Sequence, residues 1–363
     1  MSAAAVDDAA TCINHGQGHW THMADDTPLP YSSRANGTVV SKSWQICDAL
    51  YSAKPHRSPD RYATRHIWQP SGSGCTSLLP EGIPTMQDVV RRFCLRRAGS
   101  SILFVGDSTQ GQLFQSFASI LGANRLRRPR VTVTEDEASW AGSNAWCNPN
   151  EAETEDGRFY HQLESVCPTG DVTLRFVRND LSVLDERHTT KGNQFSLRSF
   201  NSTAMCDWSD AARTADLIVF NRGAHYVDDE SFLAGLHDTI SRLATLLRGR
   251  GRTLSKAVVY RSTLAAIPNC SHQPRDPAPT ALHDLIVANG AAYRWDQFEH
   301  QNQLAKRVME RQGVPFLNIY HALSFRPGGH RPGFGGKGHD CMHFCLPGPL
   351  DEMAKLLQMF WSI

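Results

Sequence analysis

The sequence predicts an α/β protein in which a central parallel sheet is covered by helices on both faces. Short apolar or alternating runs, which predict strands, occupy residues 101–105, 172–177, 216–220, 257–260 and 314–320. Segments of helical period lie between or beside them at 86–97, 113–121, 232–247, 299–311 and 350–360. Strands that alternate with helices form parallel sheets with both faces covered. The carboxyl ends of such strands meet at one edge, where open α/β folds bind their ligands.

The length and composition are those of a globular enzyme. The chain has 363 residues, of which 40% are hydrophobic and 20% charged, and it holds either one large α/β domain with an added lobe or two average domains. We expect a poorly ordered tail or stem over residues 1–40, a disulfide-stapled lobe with Cys and Trp over 41–98, and the α/β domain over 99–363. The net charge of +1 gives no general attraction to nucleic acid, so no nucleic-acid partner is expected.

A candidate nucleophile, Ser108, lies where the first strand of the α/β domain turns into a helix. Gly106-Asp107-Ser108 follows the apolar run 101–105 and precedes the helical pattern 113–121. A hydroxyl at this junction stands at the carboxyl edge of the sheet, where the helix N-terminus offers backbone N–H groups to a developing oxyanion. The alternative is that Ser108 or Thr109 only caps the helix.

A candidate base and its orienting acid lie together near the C-terminus. Asp340 precedes His343 by three residues, so we expect one turn of a loop to carry both groups. The alternative is a zinc cluster of His339, Cys341, His343 and Cys345. Structural zinc sites usually take their ligands as two separated pairs, and no second pair can be identified, so no metal is expected.

These motifs carry a resemblance to a known family. Gly106-Asp107-Ser108 occurs together with Asp340-x-x-His343, which lies inside Asp-Cys-x-His-x-Cys-Leu-Pro-Gly. Further matching blocks lie at 68–70, 219–223, 293–296 and 326–330. In this ordered set the chain resembles the trichome-birefringence-like family of polysaccharide O-acetyltransferases, within the wider SGNH and PC-esterase group.

The resemblance extends from Cys47 to the C-terminus. It implies an SGNH-like three-layer α/β/α sandwich with a central parallel sheet over residues 99–363, beside the small N-terminal lobe. The chain departs from the family pattern at three places. Phe344 stands where a tryptophan is usual, Arg222 replaces a small polar residue, and Gly328 stands where an aspartate is common.

The resemblance also implies an oxyanion hole. The expected donors are the Ser108 N–H, the side-chain amide of Asn221 and Gly142. Asn221 follows the strand at 216–220, so it reaches the same edge of the sheet as Ser108. The alternative is a turn in which Asn221 and Gly223 merely accept positive φ angles.

Four other residues are expected to contact the substrate, namely Asp107, Arg261, His225 and Trp68. Two of them have alternatives. Arg261 ends the strand at 257–260, and it pairs with a buried acid if it does not hold a substrate or a donor. Trp68 stacks on a sugar ring or is buried in the core, and burial is the commoner fate of tryptophan.

The implied activity is that of a serine O-acetyltransferase acting on polysaccharide hydroxyls. Ser108 attacks an acetyl donor while His343 takes its proton and Asp340 holds His343, and a sugar hydroxyl then collects the acetyl group from the acyl-enzyme. The donor is a co-substrate, with acetyl-CoA as one candidate, and no resident cofactor is expected. The alternatives are an esterase with the same triad and a noncatalytic polysaccharide-binding protein.

The ten cysteines and three Asn-x-Ser/Thr triplets, at Asn36, Asn201 and Asn269, favour the secretory pathway. Residues 1–26 contain no apolar signal segment. The resemblance implies a Golgi-lumenal enzyme on an N-terminal membrane anchor, so we expect this chain to lack that anchor.

Two cysteines bracket the candidate base. A loop carrying a catalytic histidine tolerates little movement, so we expect Cys341 and Cys345 to be bridged to distant residues and not to each other. The expected partners are Cys270 for Cys341, and Cys47 or Cys75 for Cys345.

Overall fold

The computed structural model describes residues 3–23, 63–72, 74–75, 84–122, 125–126, 160–167, 170–184, 206–272, 277–278, 281–289, 292–332 and 339–363. The strands in these ranges are β1 Gly18–His22, β2 His66–Pro70, β3 Ser101–Gly106, β4 Arg125–Leu126, β5 Tyr160–Cys167, β6 Gly170–Arg178, β7 Leu217–Phe220, β8 Val258–Arg261, β9 Phe316–Leu317, β10 His330–Pro332 and β11 His339–Phe344. The α-helices are α1 Ala3–His15, α2 Met86–Arg97, α3 Ser108–Ile120, α4 Ser209–Thr214, α5 Asp229–Arg248, α6 Leu254–Ala257, α7 His283–Asn289, α8 Phe298–Arg311, α9 Ile319–Leu323 and α10 Pro349–Trp361. Short 3-10 helices span Cys270–His272, Ala292–Gln297 and Pro327–Gly329.

A seven-stranded sheet in the order β4-β5-β6-β3-β7-β8-β9 forms the centre of the molecule. The five strands from β6 to β9 are parallel, and β5 and β4 are added antiparallel at one edge. β3 lies in the middle, so the turn that follows it opens at the centre of the carboxyl edge.

Helices cover both faces of this sheet. Along β3, Ile102 and Phe104 pack into the hydrophobic layer that holds α2, α3 and α10. Leu103 and Val105 point the other way, into the layer that holds α4, α5, α6 and most of α8. Successive strand residues face opposite sides of a sheet, so a strand that is apolar throughout must be covered twice. The predicted α/β/α sandwich with a central parallel sheet is confirmed.

The prediction of a poorly ordered N-terminal tail is wrong for residues 3–23. Residues 3–23 form α1 and β1, and Cys12 is disulfide-bonded to Cys75. Ala9, Cys12 and Ile13 are buried, and their spacing of three and four residues is that of an apolar helix face. The first part of the expected tail is therefore packed on the domain, while residues 24–40 lie outside the described part of the chain.

The expected N-terminal lobe is also continuous with the α/β domain. Cys94 in α2 is disulfide-bonded to Cys167 in β5, and the Arg97 Nε–H donates to the carbonyl of Trp361 at 2.7 Å. β2 pairs with β1, not with a strand of the lobe. Two cysteines of the expected lobe are disulfide-bonded, but their partners lie outside it, in α1 and in β5. Most of the lobe's first half, residues 41–62, lies outside the described residues.

One predicted strand, at 314–320, is wrong over its second half. The strand β9 ends at Leu317, and α9 begins at Ile319. The Ser262 hydroxyl accepts hydrogen bonds from the N–H groups of Ile319 and Tyr320 at 2.9 and 3.0 Å. A side chain distant in sequence thus caps the first turn of the helix, which no local pattern reveals.

A buried ion pair joins the last helix to β2. The Lys355 ammonium and the Trp68 N–H both donate to the Glu352 carboxylate, and Glu352 and Lys355 are 7% and 5% exposed. Removing one partner of such a pair leaves an uncompensated buried charge, which is costly.

We expect Lys355→Met to lower the free energy of unfolding by about 3 kcal/mol, because Glu352 would remain buried without its cation. The double variant Lys355→Met/Glu352→Gln should recover part of the loss, since a neutral amide still accepts from the Trp68 N–H. Denaturant unfolding measures both. A double variant less stable than the single one would contradict this assignment.

Candidate active site

Ser108 is the first residue of α3, directly after the turn that ends β3. Gly106 has a φ of +155°, and a Cβ there would lie 2.7 Å from the Cβ of Gln110, so the turn requires glycine. The Asp107 carboxylate caps the helix by accepting from the N–H groups of Thr109 and Gln110 at 2.8 and 3.2 Å. Because Asp107 performs the capping, the Ser108 hydroxyl is available for other contacts.

Ser108, His343 and Asp340 are hydrogen-bonded in series. The His343 Nε2 lies 2.8 Å from the Ser108 Oγ, and the His343 Nδ1 lies 2.8 Å from the Asp340 Oδ2. A carboxylate at Nδ1 holds the proton there, so Nε2 faces the hydroxyl as an acceptor. The His343 and Asp340 side chains are 13% and 21% exposed, so both reach the surface of the described part of the chain.

Asp340 and His343 lie on a bulged strand, which corrects the expected single turn of a loop. Asp340 and Phe344 pair with consecutive residues of β10, so residues 341–343 bulge out of the β10–β11 ladder. The Asp340 Oδ1 closes the bulge by accepting from the N–H groups of Met342 and His343 at 3.2 and 3.1 Å. One carboxylate thus shapes the backbone and orients the imidazole.

The expected bridge between Cys341 and Cys270 is present. The carbonyl of Cys341 also accepts from the N–H of Ile267 at 3.0 Å. The bulge that carries His343 is therefore fastened to the segment that follows β8.

The prediction for the second bridge, which joins Cys345 to Cys47 or Cys75, is wrong in part. Cys345 is disulfide-bonded, but Cys75, one of its two expected partners, is bonded to Cys12. Cys47, the other expected partner, lies outside the described residues. Since Cys341 and Cys345 are both oxidised, the zinc alternative loses two of its four ligands. No metal-binding group of His, Cys, Asp or Glu occurs in the part of the chain that the structure describes.

Asp107 and Arg261 contact each other and the turn around Ser108, which corrects the expected substrate contacts. They are 3% and 0% exposed, and the Arg261 Nη2 lies 4.0 Å from the Asp107 Oδ1. The Arg261 guanidinium also donates to the Thr109 Oγ1 at 3.0 Å and to the Gln110 Oε1 at 2.7 Å. Arg261 therefore contacts the residues on both sides of Ser108.

Both members of this pair are charged at neutral pH. Burial by itself would raise the pKa of Asp107, but the positive charge of Arg261, then His225, and hydrogen bonds from Thr109 and Gln110 outweigh it and lower the pKa. Burial lowers the pKa of Arg261 to about 10, against the opposing effects of Asp107 and Tyr260. Asp107 and Arg261 thus form a buried ion pair next to Ser108.

Asn221 does not offer its amide to an oxyanion. Its Nδ2 donates to the carbonyl of Arg261 at 3.0 Å and to the Thr263 Oγ1 at 3.2 Å, and the residue is 1% exposed. Both amide hydrogens are engaged, which corrects the expected role. Gly142 lies outside the described residues. Of the two expected donors within the described residues, the Ser108 N–H remains, at the amino end of α3.

Trp68 does not reach the surface, which corrects its expected contact with a sugar. It is 1% exposed and packs edge-on against Trp20 at 5.3 Å.

His225 does reach the surface, with its Nε2 3.9 Å from the Asp180 Oδ2 and its side chain 12% exposed. Asp180 was not predicted from the sequence as a site residue, although it follows β6 at the same edge of the sheet as Ser108.

A second missed residue is Gln112. Its Nε2–H donates to the carbonyl of Phe344 at 2.8 Å, and its Oε1 accepts from the N–H of Phe344 at 3.1 Å. The signal was available in the sequence, because Gln112 lies four residues after Ser108 and so shares its helix face.

Ser108, His343 and Asp340, hydrogen-bonded in series at the carboxyl edge of the sheet, have the geometry of a catalytic triad, an arrangement that recurs on several unrelated folds. Residues 282–360 match PC-Esterase, described as a GDSL/SGNH-like Acyl-Esterase family found in Pmr5 and Cas1p.

Several curated proteins are similar to this chain. The chain is 22% identical to protein trichome birefringence-like 42 of Arabidopsis thaliana, over 96% of this chain and 89% of that protein. It is 37% identical to xyloglucan O-acetyltransferase 4 of Populus trichocarpa, over 19% of each, and 35% identical to xyloglucan O-acetyltransferase 2 of Arabidopsis thaliana, over 29% of this chain and 26% of that protein. The chain is thus similar to trichome birefringence-like proteins along nearly its whole length and to xyloglucan O-acetyltransferases over shorter segments. No solved structure matches it significantly.

The buried ion pair predicts how stability depends on pH. The pKa of Asp107 is lowered in the folded state, so its contribution is fully present above its unfolded pKa of about 3.9 and is lost as the pH falls through the folded value. At neutral pH, Asp107→Asn should lower the free energy of unfolding by about 3 kcal/mol, because Arg261 would lose its partner.

The difference between wild type and Asp107→Asn should shrink as the pH falls below about 4. Thermal unfolding midpoints from acid to neutral pH measure it. Asp238→Asn, which changes a carboxylate on the surface of α5, serves as the control with a small, even effect. A wild-type advantage over Asp107→Asn that stays constant with pH would refute the ion-pair assignment.

Proposed function

We propose that this chain is a serine O-acetyltransferase that moves an acetyl group onto a hydroxyl of a polysaccharide. The observation that carries the proposal is the hydrogen-bonded series Ser108–His343–Asp340, in a chain whose relatives include two named xyloglucan O-acetyltransferases. The series supports a nucleophilic mechanism, and the relatives' names support the acceptor class.

In the first half-reaction Ser108 is acetylated. His343 removes the hydroxyl proton while the Ser108 Oγ attacks the carbonyl carbon of the donor, and Asp340 stabilises the imidazolium that forms. The Ser108 N–H and the amino end of α3 stabilise the negative oxygen of the tetrahedral intermediate. The intermediate collapses, the leaving group takes the proton from His343, and an acetyl-enzyme remains.

In the second half-reaction the acetyl group passes to the sugar. His343 removes the proton of a sugar hydroxyl, whose oxygen attacks the ester carbonyl of the acetyl-enzyme. The bond to the Ser108 Oγ breaks, and the proton returns from His343 to that oxygen. The triad ends in its starting state, so the acetyl donor is a co-substrate, with acetyl-CoA as one candidate. His225, partly exposed beside Asp180, is proposed to contact the substrate.

An esterase is the second candidate, because the matched family is described as acyl esterases. Water in place of the sugar hydroxyl gives hydrolysis with the same residues. Incubation with an acetyl donor, with and without an oligosaccharide acceptor, separates the two activities. Acetyl groups on the sugar support the transferase, and free acetate alone supports the esterase. Neither product would favour the noncatalytic polysaccharide-binding alternative.

The proposed location is the secretory pathway, with the Golgi lumen as the compartment that the family resemblance implies. Support comes from three disulfides, Cys12–Cys75, Cys94–Cys167 and Cys270–Cys341, since such bonds persist in oxidising compartments. None of the helices in the described ranges has the length and apolar character needed to span a bilayer.

The triad should behave as a unit. Ser108→Ala and His343→Ala should each lower turnover on the order of a thousandfold or more, and the double variant should be little worse, because each change alone disables the same step. Initial rates of acetyl transfer measure this. Ser119→Ala, a change of a buried serine elsewhere in α3, is the matched control. Single losses that multiply in the double variant would exclude a shared step.

An acetyl-enzyme should be detectable before acceptor is added. Mass spectrometry after brief exposure to the donor should find one acetyl group on the peptide that contains Ser108, and none on the same peptide of Ser108→Ala. Subsequent addition of an oligosaccharide acceptor should remove it. Acetyl transfer at a normal rate without any adduct at Ser108 would favour direct transfer between donor and acceptor.

A further inference from the structure

We propose that Gln112 is a positioning residue that sets the distance between Ser108 and His343 by holding the strand of the base against the helix of the nucleophile. The proposal rests on the proposed function, because it concerns the same triad. No step of the mechanism above assigns Gln112 a role.

The contact is a two-point hydrogen bond to the backbone. The Gln112 amide donates to the carbonyl of Phe344 and accepts from its N–H, at 2.8 and 3.1 Å. Gln112 is 1% exposed and Phe344 0%, so water does not compete for these groups. A side-chain amide engaged at both ends fixes the orientation of the peptide as well as its distance.

The contact lies beside the triad on both elements. Ser108 and Gln112 are four residues apart on α3 and therefore lie one above the other on the same helix face. Their partners, His343 and Phe344, are consecutive in β11. The two contacts, Ser108–His343 and Gln112–Phe344, are one helical turn apart on α3 and one residue apart on β11. Together with these two stretches of backbone they form a closed frame.

Three other bonds in and beside the bulge lead elsewhere. The Cys341 disulfide joins it to Cys270, the His330 Nδ1 lies 3.2 Å from the carbonyl of His343, and the Cys345 N–H donates to the carbonyl of Gly329. These bonds fix the bulge to elements that do not carry the nucleophile. The Gln112 contact fixes it to the helix that does.

Loss of this frame should affect the rate more than binding. A displacement of about 1 Å between reacting groups can cost roughly a hundredfold in rate. Unsatisfied backbone groups at Phe344 would also lower stability, so the experiment must separate the two effects. Gln112→Met removes both hydrogen bonds at nearly constant volume, and Gln112→Glu removes only the donor while the carboxylate is ionised.

The experiment measures acetylation of Ser108 by 4-nitrophenyl acetate in the full chain, followed as first-turnover release of 4-nitrophenolate. Ser108→Ala sets the background. Gln112→Met should lower the acetylation rate about a hundredfold and leave the concentration of ester at half-saturation unchanged. Gln358→Met is the matched control, because it removes a buried amide bond to the carbonyl of Phe117 between α10 and α3, away from the triad.

Gln112→Glu supplies a rescue that a purely structural role would not give. Burial raises the pKa of a carboxyl group, and a protonated glutamic acid both donates and accepts, as the amide does. The ratio of the Gln112→Glu rate to the wild-type rate should therefore rise as the pH falls to mildly acid values. The same ratio for Gln112→Met should stay flat.

The possible outcomes are distinct. A Gln112→Met rate equal to that of wild type, or reduced no more than that of Gln358→Met at equal thermal stability, overturns the positioning role. A Gln112→Glu rate that stays as low as the Gln112→Met rate at every pH overturns it as well. Wild-type acetylation no faster than that of Ser108→Ala overturns the proposed function, and with it this inference.

Discussion

The hydrogen bond between Ser108 and His343 is the contact on which the rest of the site depends. Its partners lie 235 residues apart in sequence and 2.8 Å apart in space, so no local structure can fix their separation. Each is held by its own framework. A glycine turn and the Arg261 guanidinium hold Ser108, and the Asp340 bulge with the Cys270–Cys341 bridge holds His343. The precision of the pair therefore comes from buried contacts that themselves perform no chemistry.

Two aspartates near the nucleophile have different environments and different tasks. Asp107 is buried, paired with Arg261 and fully used in capping α3, so its charge supports the fold. Asp340 is 21% exposed and divides its two oxygens between the backbone of the bulge and the ring of His343. Its second oxygen contacts the imidazole and is placed where it could stabilise a positive charge on that ring. Solvent access and partner type, not residue type, separate the two roles.

The sequence allowed prediction where the signal was local. The parallel sheet follows from apolar runs, and the pairing of Ser108 with Asp340 and His343 follows from two short motifs whose partners the fold brings together. Burial was harder, because it depends on what packs above a residue. Arg261 and Asn221 lie at or just after strand ends, as substrate-binding residues do, yet their polar groups donate to Thr109 and Thr263. Trp68 lies within β2, and Trp20 covers its ring. Helix α9 was not predicted because the residue that caps it, Ser262, is distant in sequence.

The packing of α1 has a consequence for association between molecules. β9 is the last strand of the central sheet, and a bare strand edge is a template for pairing with another chain. Asn14 at the end of α1 accepts from the N–H of Phe316 at 2.6 Å, and the carbonyl of Ile13 accepts from the N–H of Asn318 at 3.0 Å. Helix α1 thus covers the edge strand β9, which is synthesised some 300 residues later. Until β9 has been made and has packed against α1, the sheet of a nascent chain has an uncovered edge that can pair with another molecule.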